Sequence, residues 1–205
     1  MTDRNLLLLT LSYGAIGYFQ YVFFYWLEYY FHHVQSLDAA TSRWYTTIPS
    51  LSMAAGMLVG GTLYDRLQGT LGRRLDRAAV PVIGMAAAAG LLLIGLKQDD
   101  PTSMVLWFSL SMAAAGLSEG PFWVSAVESG RGQGGMAAAI FNTGGNAAGM
   151  LGPALMPYLA DRFSWKGGMA FSCAYLLLGA AAWFGVNLPA SHTATEDTVD
   201  LGSID

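Results

Sequence analysis

The sequence predicts an all-α integral membrane protein with six transmembrane helices, set out as an inverted repeat of three plus three. Three observations carry that reading. Only 12% of the 205 residues are charged and 54% are hydrophobic, with a mean hydropathy of +0.41. A soluble domain runs at about 25% charged and needs that charge to cover its surface. Six apolar stretches, at 6–31, 45–64, 78–96, 104–127, 136–159 and 168–188, each approach the roughly 20 residues that span a hydrocarbon core. A short motif also recurs: Leu63-Tyr64-Asp65-Arg66-Leu67 returns 96 residues later as Leu159-Ala160-Asp161-Arg162-Phe163.

The same numbers exclude other classes. A soluble enzyme or an extended disordered chain would carry more charge. A nucleic-acid binder would be basic, whereas here 10 Lys+Arg face 14 Asp+Glu. Barrel strands alternate in and out over about 10 residues, which these runs do not. Cys173 is the single cysteine, so neither an intrachain disulfide nor a thiolate zinc cluster can form. No cofactor and no catalytic residue is expected.

The first stretch is too long and too aromatic for a signal peptide and lacks a small-residue cleavage site, so it is expected to be retained. At 100° per residue Tyr13, Gly17, Gln20, Phe24 and Glu28 share a stripe. Gln20 and Tyr13 are the candidate cavity residues, with Glu28 near the outer interface. Trp26, Tyr29, Tyr30, His32 and His33 read as an aromatic belt. Adjacent histidines diverge on a helix and no third ligand is evident, so no metal site is expected.

The second stretch carries Gly56, Gly60 and Gly61 and closes on the Asp65-Arg66 pair; the fifth carries Gly152 and Pro157 and closes on Asp161-Arg162. Three helices would separate the two copies, which puts them on opposite membrane faces, an inverted-topology repeat. A carboxylate and a guanidinium at a helix end can pair with each other or with a neighbouring helix end; the alternative is plain interfacial charge. Ahead of the third stretch stands the basic cluster Arg73-Arg74-x-x-Arg77. With Arg4, Arg66 and Arg131 on the same side, against Arg43, Lys97, Arg162 and Lys166 on the other, it puts both termini in the cytoplasm.

In the fourth stretch Glu119 lies somewhat past the middle. A charge near the bilayer centre costs roughly 2.5–3.5 kcal/mol on insertion scales, so such a group faces a cavity or a partner. Met112, Ala115, Glu119, Trp123 and Ala126 share its stripe. A carboxyl that alternates between neutral and charged can carry a proton; the alternative is a permanently neutral carboxyl bonded to a neighbouring helix. In the fifth stretch Asn142, Asn146, Gly149, Pro153 and Pro157 fall within a stripe about 80° wide. Asn142 and Asn146 are candidate substrate contacts, or the stripe is a helix-packing seam of small residues; both can hold. The segment 190–205, rich in Thr, Ser and acid, is expected to be a disordered cytoplasmic tail beyond a bundle of residues 1–189.

Gly61-x-Leu63-x-Asp65-Arg66, followed by Gly72-Arg73-Arg74, resembles the loop signature G-x-L-x-D-R-x-G-R-R of the major facilitator superfamily, with residues 67–71 where the family has one residue. Glu119-Gly120-Pro121-Phe122-Trp123, Glu128, the run 131–135, and Asn142 through Pro153 are similar to the tenth and eleventh helices of its anion:cation symporter branch. Phe23 through Phe31 resembles the seventh helix of that branch. The resemblance covers the chain up to Leu188 and matches only a C-terminal half. It implies a secondary transporter, not an enzyme, in a bacterial inner membrane. It would move a small organic anion with a proton or another cation, by rocking against a second bundle: the missing N-terminal half or another copy. Two other readings stand beside it. One is a rhomboid-like protease, which needs a deep histidine where the sequence has only His32, His33 and His192. The other is a non-transporting remnant or assembly partner.

Overall fold

A computed structural model describes residues 3–72 and 75–187; Arg73, Arg74 and the expected tail lie outside the described residues. Every regular element among the described residues is helical: α1 (Arg4–Tyr29), running into a π-helical turn (Tyr30–Val34), α2 (Ala39–Leu67), α3 (Leu75–Leu96), α4 (Pro101–Gly116), α5 (Glu119–Ser129), α6 (Gly134–Gly149) and α7 (Leu151–Ala182), closed by a 3₁₀ turn (Trp183–Gly185).

The helix starts follow capping chemistry. Asp3 accepts from the Asn5 amide at 2.8 Å, Asp38 from Ala40 and Thr41 at 3.0 Å each, and Asp100 from Ser103 at 2.8 Å. These bonds hold the carboxyls of Asp38 and Asp100 below the usual carboxylate range; the Thr41 side chain is the main cause at Asp38 and the Ser103 amide at Asp100.

Two breaks follow from proline. Pro121 and Pro153 lack the amide that would bond the carbonyl four residues earlier, at Leu117 and Gly149, and α4 gives way to α5, and α6 to α7, at those points. The stretches 104–127 and 136–159, expected as single helices, are therefore each interrupted. A third correction concerns 160–167, expected as a loop. Residues 160–163 prolong the preceding helix and 165–167 open the next, so α7 consists of two helices that meet at a corner at Ser164 (φ 70°, ψ 165°). That region of backbone space is nearly confined to glycine and costs on the order of 1–3 kcal/mol. The Ser164 hydroxyl recovers part of it by accepting from the Gly167 amide at 3.3 Å.

By length and composition three helical stretches are apolar enough to cross a membrane, Arg4–Val34, Leu75–Leu96 and Gly134–Gly185. Six were expected. The 16-residue α4 is cut short by its break, and α2 is diluted by Thr41, Ser42, Arg43, Thr46, Thr47, Ser50 and Ser52.

Packing runs in pairs: α2 on α4, α1 on α6 and α7, and α3 on α4 and α7. Small residues allow backbone contact at two crossings. Gly56 of α2 lies directly against the Ala113 carbonyl of α4. A Cβ added at Gly152 of α7 would come 2.7 Å from the Tyr18 carbonyl of α1. Serine hydroxyls bridge others: Ser12 donates to the Gly179 carbonyl and Ser111 to the Ala88 carbonyl, both at 2.7 Å. Phe19, Phe23, Phe31, Phe108, Phe122 and Phe141 fill the interior, all nearly inaccessible.

At one end Asp76 is buried. Its carboxylate accepts from the amides of Gly69 (3.0 Å) and Leu71 (2.7 Å), which ties the loop after α2 to the first turn of α3. Arg77 beside it makes a 2.8 Å ion pair with Glu128 of α5.

The glycine crossing is directly testable. Gly56→Val should cost about 1–3 kcal/mol through overpacking, read as a lower midpoint of thermal unfolding in detergent. Gly61→Val should leave the midpoint unchanged, because a Cβ there meets nothing within 4 Å.

Candidate functional site

Glu119 is the first residue of α5. The Pro121 break therefore sets its carboxyl at the start of a half-helix inside the bundle, where unbonded amides concentrate partial positive charge. The side chain is 7% exposed and turned toward α1. Gln20 Nε2 donates to Glu119 Oε1 at 2.5 Å, and the Tyr13 hydroxyl donates to Oε2 at 3.2 Å. Tyr13 and Gln20 are seven residues apart, two helical turns, so both reach the same neighbour and grip the carboxyl from two levels. The Tyr13 ring is clamped in turn, stacked on Phe141 (4.3 Å between centroids), tilted against Phe122 (5.4 Å) and edge-on to Trp123 (6.4 Å). Both donors present hydrogens to a group that, when ionised, only accepts. When Glu119 is protonated, one oxygen can still accept from Gln20 while the other donates to the Tyr13 hydroxyl, which can accept as well as donate.

A second polar cluster joins α1 to α6. The Tyr21 hydroxyl donates to Asn146 Oδ1. Asn146 Nδ2 donates to the Asn142 backbone and side-chain oxygens at 2.7 Å each. Asn146 is thus committed within the protein, while Asn142 Nδ2 has no bonding partner among the described residues and is half-buried. No hydrogen bond links this cluster to Glu119 among the described residues. Sequence reasoning placed Tyr13, Gln20, Glu119, Asn142 and Asn146 as candidates, and the structure divides them into these two groups. It missed Tyr21, which stands about 80° from Tyr13 around α1 and so fell outside the stripe.

The loop-motif residues behave differently. Gly61 lies beside Gly120. Asp65 and Arg66 are exposed at the end of α2, and Asp161 and Arg162 are exposed in α7. Among the described residues neither Asp-Arg pair forms an ion pair; successive helical residues point about 100° apart. Arg162 instead lies over the Tyr158 ring, 5.7 Å from its centroid. At the Asp65-Arg66 end the buried charge is carried by Asp76 and Arg77, the latter paired with the half-buried Glu128; of these only Arg77 and Glu128 entered the sequence analysis, for topology and family resemblance.

At the opposite end, Trp26, Tyr29 and Trp165 form a continuous aromatic contact, with His33 against Tyr29 at 4.6 Å. The Trp26 indole donates to the Pro153 carbonyl at 3.0 Å, the acceptor that Pro157 leaves without a helical partner. Glu28 and Arg43 approach to 3.7 Å, both exposed, a contact of small energetic weight. Among the described residues no group of three or more His, Cys, Asp or Glu side chains is placed to hold a metal ion.

Comparison with known proteins adds the following. Residues 9–200 match the model of the Major Facilitator Superfamily. The "Probable sulfoacetate transporter SauU" of Cupriavidus necator is 28% identical over 186 residues, 90% of this chain and 43% of that protein. The "Probable anion transporter 3, chloroplastic" of Oryza sativa subsp. japonica is 26% identical over 188 residues, 90% of this chain and 34% of that protein. The "Sodium-dependent phosphate transport protein 1, chloroplastic" of Arabidopsis thaliana is 25% identical over 162 residues, 77% of this chain and 31% of that protein. The chain spans less than half the length of these relatives.

The two clusters should act independently. Tyr13→Phe and Tyr21→Phe are each expected to cost about 1 kcal/mol for one lost hydrogen bond, and the double variant should cost the sum to within about 0.5 kcal/mol. Thermal unfolding of the three variants in detergent checks this, and a larger coupling would show one network instead of two.

Proposed function

The chain belongs to the Major Facilitator Superfamily and is an all-α membrane protein, and from that premise we propose that it is the six-helix half of a secondary transporter working by alternating access. Its cargo in this reading is a small organic anion, and its coupling ion is a proton carried on Glu119. The observation that carries the coupling role is the buried carboxyl at the half-helix start, held by Gln20 and Tyr13 of another helix. Gain or loss of its proton changes the bonds it makes to Gln20 and Tyr13, which couples the proton to the contact of α1 with α5. The names of the relatives support the anion class and favour a transporter over a non-transporting remnant.

In this proposal α4 with α5 forms one kinked crossing, α6 with the first part of α7 another, and the rest of α7 beyond Ser164 the sixth. Packing supports a three-plus-three repeat. α2 lies on α4 as α6 lies on α1. Gly56 meets Ala113, and Gly152, 96 residues further on, meets Tyr18. Ser111 ties α4 to α3, as Ser12 ties α1 to α7. The exposed faces support it as well: Trp44, Thr47, Leu51, Leu58 and Thr62 of α2 are exposed, and so are Ile140, Thr143, Ala147, Ala154 and Tyr158 at the same offset.

One six-helix wall leaves Asn142 and the half-buried Tyr21 facing outward, where polar groups need partners. A second bundle, the missing N-terminal half or another copy, completes the cavity. Arg and Lys among the described residues stand near helix ends or the Ser164 corner, so this wall offers amide and phenol donors, and a cationic contact for the anion would come from the other bundle. In this reading both termini lie on the cytoplasmic side of a bacterial plasma membrane.

Two measurements test the reading. In liposomes carrying the 205-residue chain, uptake of a small sulfonate under an imposed pH gradient is expected only where the measured mass shows a dimer or an added six-helix partner. Glu119→Gln should abolish that gradient-driven uptake and spare substrate exchange; uptake by a monomer, or uptake indifferent to Glu119→Gln, refutes it. For topology, Thr70→Cys in a Cys173→Ser background should react with a membrane-impermeant maleimide only from the cytoplasmic side.

A further inference from the structure

At the end where α1 begins, a cleft of about 850 Å³ opens between the start of α1, the turn joining α5 to α6, and the end of α7. Its polar rim carries Arg4, Arg131, Gln133 and Asn187. Arg131 sits in the left-handed region (φ 44°) between Gly130 and Gly132. Neither Arg4 nor Arg131 forms an ion pair with an acid among the described residues. Asp3, the carboxylate on the rim, is engaged through Oδ1 with the Asn5 amide as the cap of α1. The far wall is fixed by a reciprocal clamp: Asn5 Nδ2 donates to the Asn187 carbonyl at 3.0 Å, and the Asn187 amide donates to Asn5 Oδ1 at 2.9 Å.

Below the rim the lining changes character. Leu7, Met136 and Ile140 line the cleft and are 49%, 61% and 52% exposed. Two cations at the aqueous end and an open apolar wall leading into the bilayer complement a single kind of molecule, one with an anionic head and a hydrocarbon tail.

We propose that this cleft binds an anionic phospholipid of the leaflet on the N-terminal side. Its phosphate sits against Arg4 and Arg131, and one acyl chain lies along Leu7, Met136 and Ile140. The site is separate from Glu119 and from the Asn142 cluster, and the proposal depends on membrane placement, not on transport.

The test is retention of lipid by the full 205-residue chain in native mass spectrometry, from detergent containing equal amounts of phosphatidylglycerol and phosphatidylcholine with identical acyl chains. Phosphatidylglycerol should be retained preferentially. Arg4→Gln and Arg131→Gln should each lower that preference by roughly fivefold, while Arg66→Gln, an exposed arginine outside the cleft, should not. Ile140→Glu should reduce retention of both lipids. Glycerol 3-phosphate, the head without the tail, should not displace the bound lipid. Equal retention of the two lipids would overturn the proposal, as would an equal loss in Arg66→Gln or displacement by glycerol 3-phosphate. A preference that emerges only when residues 190–205 are removed would assign the cleft to the chain's own acidic end (Glu196, Asp197, Asp200, Asp205) and would equally overturn it.

Discussion

Backbone-to-backbone contact at the helix crossings is the constraint from which the rest of this structure follows. In hydrocarbon, helices gain little from hiding apolar side chains from one another, and association relies on close packing and hydrogen bonds. Here α2 touches α4 through Gly56 and Gly60, and α1 touches α6 and α7 through Gly17, Gly149 and Gly152. Larger side chains would push the helices apart and separate Gln20 from Glu119 and Tyr21 from Asn146. The serine bridges from Ser12 and Ser111 then have short distances to span.

The prolines shape what the crossings hold. Pro121 breaks the chain between α4 and α5 where Gly60 presses on Leu117, and the break makes Glu119 a first-turn residue. Pro153 does the same between α6 and α7, where Gly17 meets Gly149. Neither proline has a counterpart 96 residues earlier; Tyr25 and Met57 stand there. The proposed repeat is therefore matched in packing and unmatched in backbone continuity, and the polar clusters lie against the interrupted helices.

The helical class and most candidate side chains were legible in the sequence because hydropathy and the 100° wheel report burial and facing. Glu119 and Gln20 could be ranked from depth and stripe alone, and Gly56 and Gly152 from the repeat. What the sequence concealed was direction and partner. The wheel treats 104–127 and 136–159 as unbroken cylinders, so it could not see that Pro121 and Pro153 re-aim the following half-helices. It put Tyr21 outside the stripe of α1, although α1 faces two neighbours and Tyr21 serves the second. The Asp65-Arg66 motif drew attention by recurrence, while the charge that is buried at that end belongs to Asp76 and Arg77, the latter paired with the half-buried Glu128, and their amide and ion-pair partners are visible only in three dimensions.

The Trp26 indole fills a carbonyl that the chain itself cannot fill, because Pro157 removed its natural donor. In a hydrocarbon setting that acceptor cannot be left bare. If α1 draws away from α7 at this end, something must replace the indole, and the smallest replacement is a water molecule. Parting the helices here and wetting the Pro153 carbonyl are consequently one event, and the indole bond opposes it.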